Sequence, residues 1–198
     1  ISYLIPFLKI PQACFKYELR IRGELIMKKS IFDKYYSKTC SNSRNLVAGI
    51  VNQNYVDYST SNERNRYYDI DFVSYNIYYP TNMNFIKQVE TMKRLRVKLP
   101  YIIEYVSCLW VGDLNNILKQ LKDSYDYMID GVIVCESSEV YGEMYETNTR
   151  ENPKWAFAYK NPEIVEIKQT VVEDVLWSAS KDKYLKPKIK ITEIVCDG

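Results

Sequence analysis

Three short segments of this 198-residue sequence set charged side chains beside a glycine or at the end of an apolar run. Arg22-Gly23-Glu24 puts a guanidinium and a carboxylate on one face of an alternating stretch, around a glycine where backbone or ligand can approach closely. Asp130-Gly131 puts an acid at the mouth of the apolar run that ends at Cys135. Lys160 closes the stretch that begins at Trp155, with Ala156 and Ala158 on its own face. A narrow face ending in a lysine can admit a flat ligand and hold its phosphate. Taken singly, each segment has an ordinary reading: a solvated cross-strand pair, a turn, a solvent-facing lysine.

The sequence contains no histidine, which removes Ser-His and Cys-His mechanisms and most transition-metal sites. Lys, Arg, Asp, Glu and Tyr remain, and they suit phosphoryl or nucleotidyl transfer, where positioning and charge neutralisation carry most of the catalysis. Five cysteines, an odd number with no C-x-x-C pair, argue against a disulfide scaffold or zinc site. They point to a reducing, intracellular compartment. With 27 basic against 25 acidic residues, any basic surface must come from local segregation of charge. No apolar run reaches membrane-spanning length, so no membrane segment is expected.

The elements that must carry these side chains follow from periodicity. Residues 15–28 alternate, with Gly23 interrupting the apolar face, and predict a half-buried strand. Ser30, with Asp33 three residues on, predicts a capping box that opens a helix. A second helix is expected over 41–54, a loop over 55–66, a strand over 67–79 and a helix over 82–97. Residues 101–110 read as a strand, and Asp113 as the cap of another helix. Two strands, 129–135 and 155–160, flank a loop. From Ile164 onward the pattern turns strand-rich and dense in lysine, with Asn161-Pro162 as the hinge. The expectation is an α+β fold with mostly antiparallel sheets: one domain over 1–162 and the start of a second over 163–198.

In order and spacing, RGE, SRN-x-x-AG, IDGVIV and PKWAFAYKNP resemble the motif set of NAD-dependent DNA ligases. That family carries RGE, N-P-R-N-x-A-A-G, a DG-V-V strand and P-R-W-A-x-A-[YF]-K-F-P. The resemblance covers essentially the whole chain, and the tryptophan-containing last motif is specific to the NAD-dependent branch. It implies an ATP-grasp-like nucleotidyltransferase (adenylation) domain with antiparallel sheets and flanking helices, followed by the opening strands of an OB-fold. By resemblance, Glu24 and Trp155 belong to the nucleotide pocket, and Asp130 is the acid used with Mg2+ in the adenylyl and phosphoryl steps. Lys160 would neutralise the transferring phosphate. Arg44 would serve the nick, as would Lys181, which falls at an arginine position of the OB segment. The implied substrates are NAD and nicked duplex DNA, and the implied state is a monomer. The implied setting is the cytoplasm, or the nucleus or viral factory of a host.

Departures accompany the match. Cys135 stands where the family usually has lysine, Asn52 where arginine is usual, and the nucleophile motif K-x-D-G does not occur. These imply a divergent member of the kind a large DNA virus could encode, present here as a fragment inactive on its own. Two other readings stay open: a non-catalytic nucleic-acid-binding module derived from a ligase, using tail lysines such as Lys186, Lys188 and Lys190, and an ATP-dependent RNA ligase or capping-type nucleotidyltransferase.

Overall fold

The computed structural model of the chain describes residues 2–12, 14, 18–53, 65–80, 83–105, 108–138, 156–161, 168–180 and 184–194. The chain divides into two compact units, Ile1–Asn161 and Pro162–Gly198. The described residues form three two-stranded sheets, each an antiparallel pair.

In the first unit, β1 (Arg20–Met27) pairs with β2 (Ile70–Tyr79). The alternation in β1 turns Ile21 and Leu25 inward and Arg20, Arg22 and Glu24 outward, as period two requires. β2 begins later than periodicity suggested. The Asn65 side chain accepts the Tyr67 N–H and draws Arg66–Asp69 into a 3-10 turn before the strand starts.

The first unit also holds four helices among its described residues, of which the second packs on β1 and the third on β2. α1 (Lys29–Tyr35) lacks the expected capping box. Asp126, far along the chain, accepts both the Ser30 N–H at 2.9 Å and its hydroxyl at 2.7 Å. A distant carboxylate thus satisfies the first turn in place of Asp33. α2 (Ser43–Val51) is capped by Asn42, whose side chain accepts the Asn45 N–H, and buries Leu46, Val47 and Ile50. α3 (Phe85–Arg94) is capped in the same way by Asn84. α4 (Val111–Ser124) begins after Trp110, whose N–H donates to the Asp113 carboxylate.

The expected strand over 101–110 is absent among the described residues of that stretch. Tyr101, Ile103, Tyr105 and Trp110 are exposed there. The alternating apolar pattern has no partner ladder to join, and a period alone cannot supply one.

The core gathers where α1, α2 and the start of β2 meet β1: Leu4, Met27, Phe32, Leu46, Val47, Ile50, Tyr67 and Ile70. The Tyr3 hydroxyl donates to the Ile50 carbonyl and ties the N-terminal 3-10 turn, Ser2–Phe7, to α2. A second cluster of Ile77, Met92, Leu95 and Val97 seats α3 on β2.

In the second unit, β5 (Val172–Ala179) and β6 (Leu185–Ile191) form a hairpin. Its register puts Lys186, Lys188 and Lys190 on one face with Ser178, Leu176 and Asp174. Val175 and Trp177 share the other face with Ile189 and Pro187. Lys190 pairs with Glu173 at 2.9 Å. Lys181 lies outside the described residues, as do Trp155, residues 15–17 and 54–64, and the expected hinge residue Pro162.

Candidate active site

β3 (Val132–Cys135) and β4 (Ala156–Tyr159) pair antiparallel with Val132 against Tyr159. That register brings Asp130-Gly131 alongside Lys160 at one end of the ladder. The approach is close enough to exclude any side chain at position 131. A Cβ there would stand 2.4 Å from the Tyr159 carbonyl oxygen and 2.9 Å from Lys160 Cγ. The Asp-Gly pair read from sequence as a turn signal therefore has a packing reason for its glycine.

Arg44 arrives from the first turn of α2. Its Nη2 donates to Asp130 Oδ2 at 2.8 Å, and Lys160 Nζ stands 3.9 Å from the same oxygen. Three expected site residues, 86 positions apart for the first pair, thus share one point. All three side chains are open to solvent, at 55%, 39% and 65% exposure for Arg44, Asp130 and Lys160. Ion pairs this exposed add little stability. Two cations around one carboxylate leave net positive charge facing solvent, an arrangement suited to an incoming phosphate.

Neighbouring contacts hold the cluster in place. The Ser43 hydroxyl points at Met128 Sδ, 3.3 Å away, and so fastens the start of α2 beside the approach to Asp130. On the other side, Asn115 of α4 accepts from both the Tyr159 hydroxyl and Asn161 Nδ2, each at 2.6 Å.

Glu24 stands apart. Among the described residues, no ion pair or hydrogen bond joins it to Arg44, Asp130 or Lys160. Its surroundings point to a residue that sequence reading missed. Arg22 faces Asn76 and Gly23 faces Ser74, so Tyr75 is the extra residue of a bulge in β2. Tyr75 is exposed, and its hydroxyl pKa is raised by burial of part of the ring and then by the charge of Glu24, with Arg22 opposing. An aromatic side chain, a carboxylate and a guanidinium therefore lie within electrostatic reach of one another. No sequence signal marked Tyr75, because a bulge belongs to the pairing of two strands.

Cys135 ends β3 with a half-buried thiol whose pKa is raised by burial and by Glu136. It is a neutral group at neutral pH. No cluster of three or more Cys, Asp or Glu suited to a metal occurs among the described residues. Asp130 is a single carboxylate whose Oδ2 is already held by two cations. The role assigned to Asp130 by resemblance needs no such cluster: a single carboxylate fits an ion held mainly by substrate phosphates.

A cavity of about 220 Å3 lies elsewhere, lined by Lys9, Lys28, Lys98, Asp69 and Asp71 among others, and none of the expected site residues line it. One acid and one base of its lining pair with each other. Buried Asp71 takes Lys98 Nζ at 2.6 Å and the Tyr127 hydroxyl at 2.7 Å. No helix of the described residues is long and apolar enough to cross a membrane.

Comparison with known proteins places these residues in a family context. The model of the NAD-dependent DNA ligase adenylation domain matches residues 4–163. A DNA ligase of Acanthamoeba polyphaga mimivirus is 34% identical over 179 residues, 89% of this chain and 26% of that protein. A putative DNA ligase, 205R, of Invertebrate iridescent virus 6 is 27% identical across 100% of this chain and 31% of its own length. A DNA ligase of Clostridium tetani is 28% identical over 91% of this chain and 27% of its own. The chain spans roughly a quarter to a third of the relatives it matches.

Proposed function

The chain belongs to the NAD-dependent DNA ligase adenylation-domain family, and from that premise we propose that it supplies nucleotide- and phosphate-handling surfaces of a ligase that seals nicks in duplex DNA. The observation that carries this reading is the meeting of Arg44, Asp130 and Lys160. Three residues assigned separately from motifs, on α2, before β3 and after β4, converge on one solvent-facing point.

In the proposed reaction, a lysine of a K-x-D-G segment not among these 198 residues attacks the adenylyl phosphorus of NAD and expels nicotinamide mononucleotide. AMP passes to the 5′-phosphate of the nick, and the 3′-hydroxyl then displaces it. Lys160 faces the phosphate whose charge builds up in each step. Arg44 grips the phosphate of the nick, with bidentate capacity that a lysine lacks. Asp130 orients both cations. Glu24, with Tyr75 and Arg22 beside it, receives the adenosine: Tyr75 offers a stacking face and Glu24 an acceptor. Trp155 belongs to the same pocket, and Mg2+ would travel with the substrate phosphates. Residues 1–162 form the later part of the adenylation domain. Residues 163–198 begin an OB-fold whose face of Lys186, Lys188 and Lys190 follows the DNA backbone, and Lys181 serves the same backbone. The working unit is a monomer in a reducing intracellular compartment.

The presence of Cys135 and Asn52 where the family has cations favours a second reading, in which the protein holds nicked DNA without sealing it. One experiment separates the two. The intact protein is given a nick with a labelled 5′-phosphate and either NAD or ATP. NAD-dependent sealing that Lys160→Ala reduces by about 10²-fold or more is expected. Binding without sealing selects the second reading, and sealing unaffected by Lys160→Ala removes Lys160 from the site.

A further inference from the structure

Lys160 faces the transferring phosphate in the proposed reaction, yet its side chain is 65% exposed and, among the described residues, its ammonium makes one long contact, to Asp130. A long, open lysine has many rotamers and no intrinsic reason to stand at one point. What fixes it must act through the backbone that bears it. The residues on either side, Tyr159 and Asn161, both donate to a single atom, Asn115 Oδ1, at 2.6 Å each. Successive residues of an extended chain point to opposite sides, so anchoring Tyr159 and Asn161 toward α4 turns Lys160 away from it.

We propose that Asn115 is a positioning residue for Lys160: its side-chain oxygen clamps the two residues flanking the lysine to α4 and so sets where the ammonium stands relative to Asp130. The clamp complements the contact at Gly131. The glycine lets the strand end lie flat beside Asp130, where a Cβ would strike the Tyr159 carbonyl. The asparagine holds the same strand end from the other side. Among the described residues, Asn115 makes no hydrogen bond to any of the three charged groups, so its effect on chemistry is indirect. The clamp rests on the ligase reading only in what Lys160 does, not in how it is held.

The oxygen matters and the amide nitrogen does not, because both bonds are accepted. Asn115→Asp therefore keeps the clamp, whereas Asn115→Leu, of similar size, loses both bonds. In the intact protein, single-turnover sealing of a pre-adenylated nick is expected to slow by about 10-fold or more in Asn115→Leu, with the Kd for DNA unchanged. Asn115→Asp should stay within threefold of wild type. The Tyr159→Phe/Asn161→Ala double variant should match Asn115→Leu, and adding Asn115→Leu to it should change nothing further, because the three residues act as one unit.

A readout independent of activity accompanies this. Amide hydrogen exchange of residues 159–161 should accelerate in Asn115→Leu and remain slow in Asn115→Asp, at equal thermal midpoints. Full sealing in Asn115→Leu, equal loss in both Asn115 variants, or additive losses would overturn the clamp. Should the wild-type protein seal no nick, the ligase reading falls, and exchange alone decides: unchanged exchange in Asn115→Leu would still end the proposal.

Discussion

Charge and contact at single residues carry the function proposed for this chain. Asp130 holds two cations at one oxygen, and that geometry gives Lys160 and Arg44 a common target for a phosphate. Removing Asp130 by Asp130→Ala is expected to leave folding almost intact, because exposed ion pairs contribute about 0–1 kcal/mol. Sealing should nonetheless fall, since the cations lose their shared anchor. Thermal midpoint and single-turnover rate, measured side by side, distinguish these effects. Tyr75 gives a second residue-level expectation. If it stacks on the adenine, Tyr75→Ala should weaken AMP binding by about 1–3 kcal/mol while Tyr75→Phe changes it little. Calorimetric titration of AMP into the intact, non-adenylated protein measures this, and equal affinity in Tyr75→Ala would remove the ring from the pocket.

Strand ends and helix starts bring these side chains together. The β3–β4 ladder places position 131 so near the Tyr159 carbonyl that a methyl group cannot enter without moving backbone. Gly131→Ala is therefore expected to displace the strand bearing Lys160. Overpacking of this kind costs about 1–3 kcal/mol. A drop in urea midpoint together with a loss of sealing would show it, and full activity at unchanged midpoint would refute it. At α2, Asn42 satisfies a free N–H of the first turn, the turn that presents Arg44. Asn42→Ala should cost about 1 kcal/mol, the usual worth of such a cap. By contrast, α1 takes its cap from Asp126, so substituting Asp33 should not loosen its first turn.

Over the first unit as a whole, buried Asp71 and Tyr127, with partly exposed Lys98, link β2 to the segment after α3 and to the approach to β3. Burial acts to raise the Asp71 carboxyl, but the hydrogen bonds from Lys98 and Tyr127 outweigh it and hold its pKa below the ordinary value. A carboxyl with a lowered pKa in the folded state contributes stability that is complete above its unfolded value. That contribution is lost as pH falls through the folded value. Urea midpoints should therefore decline as pH drops below about 4, the unfolded reference, and Asp71→Asn should flatten that decline. A slope unchanged in Asp71→Asn would assign the acid sensitivity to other carboxylates. The second unit presents a different case. A lone two-stranded hairpin is marginal in water, and this one has a lysine face and an apolar face carrying exposed Trp177, Val175 and Ile189.

The amino-acid sequence by itself determined the alternation of β1, the apolar stripe of α2, the antiparallel character of the sheets and the family, because period and motif order are local properties of the chain. It also marked Asp130, Lys160 and Arg44 as separate candidates. Only the tertiary structure decided that these three meet and that a bulge sets Tyr75 near Glu24, since strand register and bulges arise from pairing between distant segments. It likewise decided that Asp126 caps α1 and that residues 101–105 and 108–110 form no strand. A cap can be supplied from 96 residues away, and an alternating run becomes a strand only where another backbone is there to accept its hydrogen bonds.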